Sequence, residues 1–111
     1  MSITVYTSAP HSLVRAIRTK IEFGDITSWK MDDDGDFTHT PFQWIDKAWM
    51  SVANYQPRES VTFGIISRKY IELTQTEYAV YHGRFAEMLL THFDSMISDI
   101  HISSQPTAYD S

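Results

Sequence analysis

The chain of 111 residues contains no cysteine. That absence removes disulfide bonds, thiolate zinc sites and cysteine nucleophiles from consideration. Glycine is scarce too, with four in the whole chain. Accordingly there is no glycine-rich loop to cradle a phosphate, no Gly-x-Ser-x-Gly elbow, and no His-Glu-x-x-His pair. No apolar run approaches the roughly 18 residues that a membrane-spanning helix requires. Residues 1–4 carry neither a basic stretch nor an apolar one, so the expectation is a cytoplasmic protein without a secretory signal. Basic side chains are outnumbered, nine against fourteen acidic ones, for a net charge of −5. A chain of this sign without a long basic stripe is ill suited to holding nucleic acid directly, because that requires several cations on phosphates.

What remains is ordinary for a globular protein. The hydrophobic share of 42% and the charged share of 21% argue against global disorder. The length suits one domain with a single core. The charge is uneven, however. Residues 25–49 hold all three tryptophans and six acidic side chains, opposed only by Lys30 and Lys47. Arg15, Arg18 and Lys20 make the preceding segment weakly basic, which reads as a solvated helix face.

Periodicity gives the element order. Residues 3–7 alternate and are β-rich, which predicts a first strand. Ser8 or Ala9 then caps a helix with Pro10 in its first turn, where a missing N–H costs nothing. Leu13, Val14, Ile17 and Ile21 recur at helical spacing, and Gly24 closes the helix. Residues 26–31 and 36–40 read as a hairpin about Asp34-Gly35, with the sequence favouring a type I′ turn. Pro41 ends it, and residues 42–47 suit either a short helical turn or a crossing loop. Residues 48–55 and 60–69 read as a second hairpin, with 70–73 continuing it after a bend. Thr74-Gln75-Thr76-Glu77 is a capping box before a long helix that extends to about Ile97 or Ile100. The order β-α-β-β-β-β-α predicts an α+β two-layer fold: a mostly antiparallel sheet of four to six strands, with both helices on one face. Residues 1–100 form the domain, and 101–111 read as a polar C-terminal tail. Residues 3–10 and the helix after them resemble the start of a glutaredoxin. The redox cysteines are absent and no second β-α unit follows, so no activity is carried over.

No constellation specifies catalysis, a metal or a cofactor. Asp32, Asp33, Asp34 and Asp36 do not fit the calcium-loop spacing, since Gly35 precedes Asp36 and Gln43 stands where the bidentate glutamate belongs. His82 and His92 are about 80° apart around a helix and form no ligand pair. A histidine acid–base pair would draw support from a repeated His-x-Ser/Thr pattern, and only His101-Ile102-Ser103 fits.

The functional expectation therefore rests on Asp32, Asp33, Asp34, Asp36, Phe42, Trp44 and Asp46. Carboxylates beside aromatic rings suit an interface with one basic protein. The reading is a small immunity-type inhibitor that neutralises a nuclease toxin or other nucleic-acid enzyme by covering its active site, with carboxylates in place of substrate phosphates. Trp44 is expected as an exposed anchor, and Trp29 and Trp49 as core. The competing expectation is a small-ligand or enzymatic pocket between the sheet and the C-terminal helix, lined by Tyr78, Tyr81, His82, Arg84 and Phe85. The composition fixes no oligomeric state.

Overall fold

The computed structural model of the chain describes residues 2–68 and 72–105. The elements are β1 (Ser2–Tyr6), α1 (Pro10–Glu22), β2 (Trp29–Met31), β3 (Phe37–His39), β4 (Ala48–Gln56), β5 (Ser60–Ser67), α2 (Gln75–Phe93), a 3₁₀ turn (Asp94–Met96) and β6 (Asp99–Ile102). Six strands pair in the order β2-β3-β4-β5-β1-β6, antiparallel at every junction. The two helices cover one face, giving the expected two-layer α+β arrangement. No helix among the described residues is long and apolar enough to cross a membrane.

The alternation along each strand decides which side chains meet the helices. Ile3 and Val5 of β1, Met50 of β4, and Val61, Phe63 and Ile65 of β5 point inward and are fully buried. Against them α1 lays Leu13, Val14 and Ile17, while α2 lays Tyr81, Phe85, Met88, Leu89 and Phe93. The opposite face of the sheet carries small polar groups, with the Thr4 and Thr62 hydroxyls 3.1 Å apart. Of the two tryptophans expected in the core, Trp29 is 1% exposed. Trp49 is not core. It stands opposite Ile66 on the uncovered face and is half-buried, because its register places it one residue from inward-facing Ala48 and Met50.

The helix ends follow their sequence signals. Pro10 opens α1 behind Ala9, which offers no side-chain cap. At the other end Gly24 has φ +79°, its N–H donates to the Ile21 carbonyl (3.1 Å), and the Asp25 N–H donates to Lys20 (2.9 Å). These two bonds satisfy carbonyls that an α-helix leaves open. The capping box is present at α2: Glu77 N–H donates to Thr74 Oγ1 (3.1 Å), and Thr74 N–H to Glu77 Oε1 (2.9 Å).

The α2 helix is shorter than expected and stops at Phe93. Ile97 turns extended, and the Ser98 N–H donates to the Tyr6 carbonyl (2.9 Å). The chain then pairs with the free edge of β1, setting Ile100 opposite Val5 and Ile102 opposite Ile3. A further helical turn would have left that edge without partners. The sixth strand therefore takes His101 and Ile102 from the stretch read as a tail. Ser103 extends the contact, its N–H donating to the Ser2 carbonyl (3.0 Å) and its Oγ accepting from Ser2 N–H (2.8 Å). Residues 69–71 and 106–111, on which the strand continuation and the rest of the tail fall, lie outside the described residues.

Gly83 sits mid-helix in α2, exposed, and a Cβ there would meet nothing within 4 Å. Among the described residues no neighbour approaches closely enough to require a glycine there. Gly83→Ala is expected to raise stability by about 0.5–1 kcal/mol, because alanine loses less backbone freedom on folding. Urea denaturation would show this as a higher midpoint at unchanged slope.

Candidate functional site

The β2–β3 hairpin carries candidate residues at both ends. At its tip Asp32 N–H donates to the Asp36 carbonyl (3.0 Å), and Gly35 N–H to the Asp32 carbonyl (3.1 Å). Gly35 has φ +80°, whereas Asp34 is not among the residues of positive φ. The turn is thus not the expected type I′, which needs positive φ at both centres. It is a type I turn followed by a left-handed glycine. The Asp32 carboxylate explains the preference. Its Oδ1 accepts from the N–H groups of Asp34 (3.0 Å) and Asp36 (2.9 Å), holding the chain in the tighter geometry.

This turn gathers like charges. Carboxylate oxygens of Asp32, Asp34 and Asp36 lie within 4.8 Å of one another. Asp36 is the least exposed, and its pKa is raised above the ordinary aspartate value. Burial is the main cause, the charges of Asp32 and Asp34 add to it, and a hydrogen bond from Ser51 and the charge of Arg18 oppose it. Arg18 of α1 braces the tip from below. Its Nη2 donates to the Gly35 carbonyl (3.4 Å), and its guanidinium lies 5.9 Å over the Phe37 ring. Asp33 and Asp34 are exposed, and among the described residues no cation pairs with Asp32, Asp33 or Asp34.

The other end of the hairpin opens into a cleft. Residues 41–47 form consecutive turns, with Trp44 and Ile45 N–H both donating to the Pro41 carbonyl (2.8 and 3.0 Å). Tyr81 of α2 anchors them: its hydroxyl donates to the Trp44 carbonyl and accepts from Thr38 Oγ1 (3.2 Å), which itself accepts from Asp46 N–H (3.0 Å). Burial, the largest influence on it, raises the Tyr81 pKa, so the phenol keeps the proton this chain of bonds needs. Phe42 emerges from these turns 96% exposed. Trp44, expected as the exposed anchor, is half-buried and packs against the core, because the Tyr81 bond draws its backbone inward. Between these turns and α2 lies an open cleft of about 480 Å³, whose walls include Ser28, His39, Phe42, Trp44, Arg84 and Glu87. Arg84 and Glu87 pair across its rim at 3.2 Å.

His39 forms the cleft floor at 6% exposure, its ring 4.8 Å from that of Trp29. Its Nδ1–H donates to the Ser28 carbonyl (2.8 Å). Burial lowers its pKa most and nearby Arg84 lowers it further, against the Ser28 bond and Glu87. The unfolded chain therefore takes up a proton on this group at a higher pH than the folded protein. Stability is expected to fall as pH drops below about 6.5, the unfolded value. Thermal melts between pH 7 and 5 check this, and His39→Gln should flatten the dependence.

The candidate interface residues thus divide. Asp32, Asp33, Asp34 and Asp36 occupy the tip, Phe42 and Trp44 the opposite end, and Asp46 pairs with Lys30 (3.6 Å) beside the hairpin. The alternative pocket does not form as expected. Tyr81, His82 and Phe85 are 0–1% exposed and fill the space between sheet and helix. His82 Nδ1 donates to the Tyr78 carbonyl (2.7 Å), as buried polar groups on helices commonly do. Tyr78 packs at the edge of the core, and Arg84 alone of the five lines the cleft. His39, Ser28 and Glu87 went unread as cleft residues. The hairpin register that sets His39 opposite Trp29, and the three-residue spacing of Arg84 and Glu87, were the available signals.

No protein-family model matches the chain, and neither does any curated protein or solved structure at a significant level.

Proposed function

We propose that this protein is a small, acidic, cytoplasmic inhibitor of the immunity type. It binds one basic protein, such as a nuclease toxin or another nucleic-acid enzyme, and covers its active site. The observation that carries this reading is the hairpin tip. The carboxylates of Asp32, Asp34 and Asp36 crowd within 4.8 Å, and among the described residues Asp32, Asp33 and Asp34 have no cationic partner. Such crowding costs free energy in the isolated protein and is relieved by a partner's lysines and arginines. The Asp32 carboxylate is also held by the Asp34 and Asp36 N–H groups, so the turn that presents the tip is ordered before a partner arrives.

Exposed Phe42 supplies the apolar contact that a charged tip lacks. The tip and the base of the hairpin are roughly 10 Å apart along three residue pairs, and a standard interface of about 800 Å² per partner spans that distance. The space between the sheet and α2 is occupied by Tyr81, His82 and Phe85, which leaves the surface as the place for recognition.

The test is affinity capture from the source organism's lysate at low and high salt, read by mass spectrometry. One basic protein retained at low salt and released at high salt is expected, with capture reduced at least tenfold by Phe42→Ala, about 1.4 kcal/mol. Capture of no basic protein, or equal capture by the variant, would overturn the reading.

A further inference from the structure

The sheet has two outer strands, β2 on one side and β6 on the other. An outer strand presents unpaired backbone groups to any strand that fits it, and proteins commonly guard such an edge with lysine, proline or a bulge. β2 carries exposed Lys30 at its centre. β6 carries no such guard. Asp99–Ile102 contains no lysine, arginine or proline, and its register against β1 runs without a bulge. Ile102, at its end, leaves 42% of its surface in water.

The ladder on the far side of β1 decides which backbone groups face the open edge. Successive residues of a strand direct their N–H and C=O groups alternately to its two neighbours. The Thr7 N–H donates to the Glu59 carbonyl (2.9 Å), so Ile3 and Val5, in the same phase, bond β5, while Ser2, Thr4 and Tyr6 bond β6. The Ser103 N–H on the Ser2 carbonyl (3.0 Å) fits that phase. Asp99 and His101, opposite Tyr6 and Thr4, therefore turn their backbone groups to β1. Those of Ile100 and Ile102 point out of the sheet, and among the described residues no strand meets them.

This phase restricts how a second copy can add. In an antiparallel pair, outward-facing residues must meet outward-facing residues. Two such registers overlap nearly the whole strand. One sets the two His101 imidazoles face to face and leaves Asp99 opposite the partner's Ser103. The other places Ile100 opposite the partner's Ile100 on the two-fold axis. Asp99 then stands opposite the partner's His101, and His101 opposite the partner's Asp99. Both are non-hydrogen-bonded pairs, in which Cα atoms are about 4.5 Å apart and side chains approach most closely. Each imidazole can donate an N–H to a carboxylate there. Asp99 and His101 are exposed, and among the described residues neither has an ion-pair partner within the chain. Asp99-Ile100-His101 is thus complementary to its own reverse, as a two-fold interface requires.

We propose that the β6 edge is a homodimer interface, pairing antiparallel with a second copy of this chain about Ile100 so that the two six-stranded sheets become continuous. The acidic hairpin lies at the opposite edge, so the dimer carries a free tip at each end. Charge complementarity selects a second copy over an unrelated strand, and it selects the register as well.

The test is sedimentation equilibrium of the full chain over about three decades of concentration, up to roughly 1 mM. A reversible monomer–dimer equilibrium is expected. His101→Asp sets like charges opposite one another twice and should weaken dimerisation about tenfold. The double variant Asp99→His/His101→Asp exchanges the two groups and should return the affinity to within about threefold of the parent. A folding defect in the single variant would not be repaired by that exchange. Ile102→Pro removes an N–H that β1 does not use, so the monomer should keep its fold by circular dichroism while dimerisation weakens at least about tenfold. A monomer at every concentration, a dimer that His101→Asp or Ile102→Pro leaves unchanged, or no recovery in the double variant would overturn the proposal. The proposed inhibitor function would stand in that case, because its residues lie at the other edge of the sheet.

Discussion

Replacing Phe85 by alanine is expected to remove about 3–5 kcal/mol of stability, a large part of the roughly 5–15 kcal/mol available to a domain of this kind. Phe85 is fully buried at the centre of the aromatic core. Its ring centroid lies 4.9 Å from that of Phe63, 5.1 Å from Trp29 and 5.8 Å from Phe37. Three of the six strands thus meet α2 through this one side chain. The neighbours are rings whose backbones are fixed in the sheet, so they cannot collapse into the space a methyl group leaves. The loss is then the transfer term plus most of the cavity term. The contrast is Phe23, which follows α1 and is 77% exposed. Phe23→Ala should change stability by no more than about 0.5 kcal/mol. Urea denaturation of both variants decides the matter. A Phe85→Ala midpoint close to that of the parent would mean that the aromatic cluster does not hold the layers together.

The same residue shows how far the sequence carried. Tyr81, Phe85, Met88 and Leu89 recur at helical spacing, and that spacing alone marks the buried face of α2. The sequence did not reveal that Tyr81, His82 and Phe85 would fill the space rather than line it. Filling depends on Trp29, Phe37 and Phe63 arriving from strands far apart in the chain. The sixth strand was missed for a related reason. Asp99, Ile100, His101 and Ile102 are too few and too polar to declare themselves, and they become a strand because β1 has a free edge beside them. At the tip, Asp34-Gly35 marked the hairpin, but its type was set by the Asp32 side chain, whose bonds to the Asp34 and Asp36 N–H groups favour right-handed helical backbone at Asp33 and Asp34. The cleft was the least legible part. Its floor, His39, reaches its place only through pairing with Trp29, and its rim comes from a helix more than 40 positions further along.

That tip geometry separates the four aspartates into different roles and shapes the second large effect. Asp32 is a structural acceptor, so replacing it with lysine removes a turn cap at a cost of about 1 kcal/mol. Among the described residues Asp33 and Asp34 spend their carboxylates on no backbone group, and both are exposed. The variant Asp33→Lys/Asp34→Lys is therefore expected to fold with stability within about 0.5 kcal/mol of the parent. It also replaces the repulsion of Asp34 on Asp36 with attraction, which lowers the pKa of that half-buried carboxyl while Asp32 still raises it. Against a basic partner the consequence is kinetic. Steering by an acidic patch raises association rates by about 10–10³-fold at low salt, and the reversed tip should lose most of that gain. Dissociation should change less, because Phe42 and the cleft rim remain. Raising the ionic strength towards 0.15 M, where the Debye length falls to roughly 8 Å, should slow the parent and leave the variant nearly unaffected. Stopped-flow association across a salt series measures both slopes. Equal association rates and equal slopes for the two proteins would show that the aspartates do not face the partner, leaving Phe42 and the cleft as the only part of the hairpin still able to bind it.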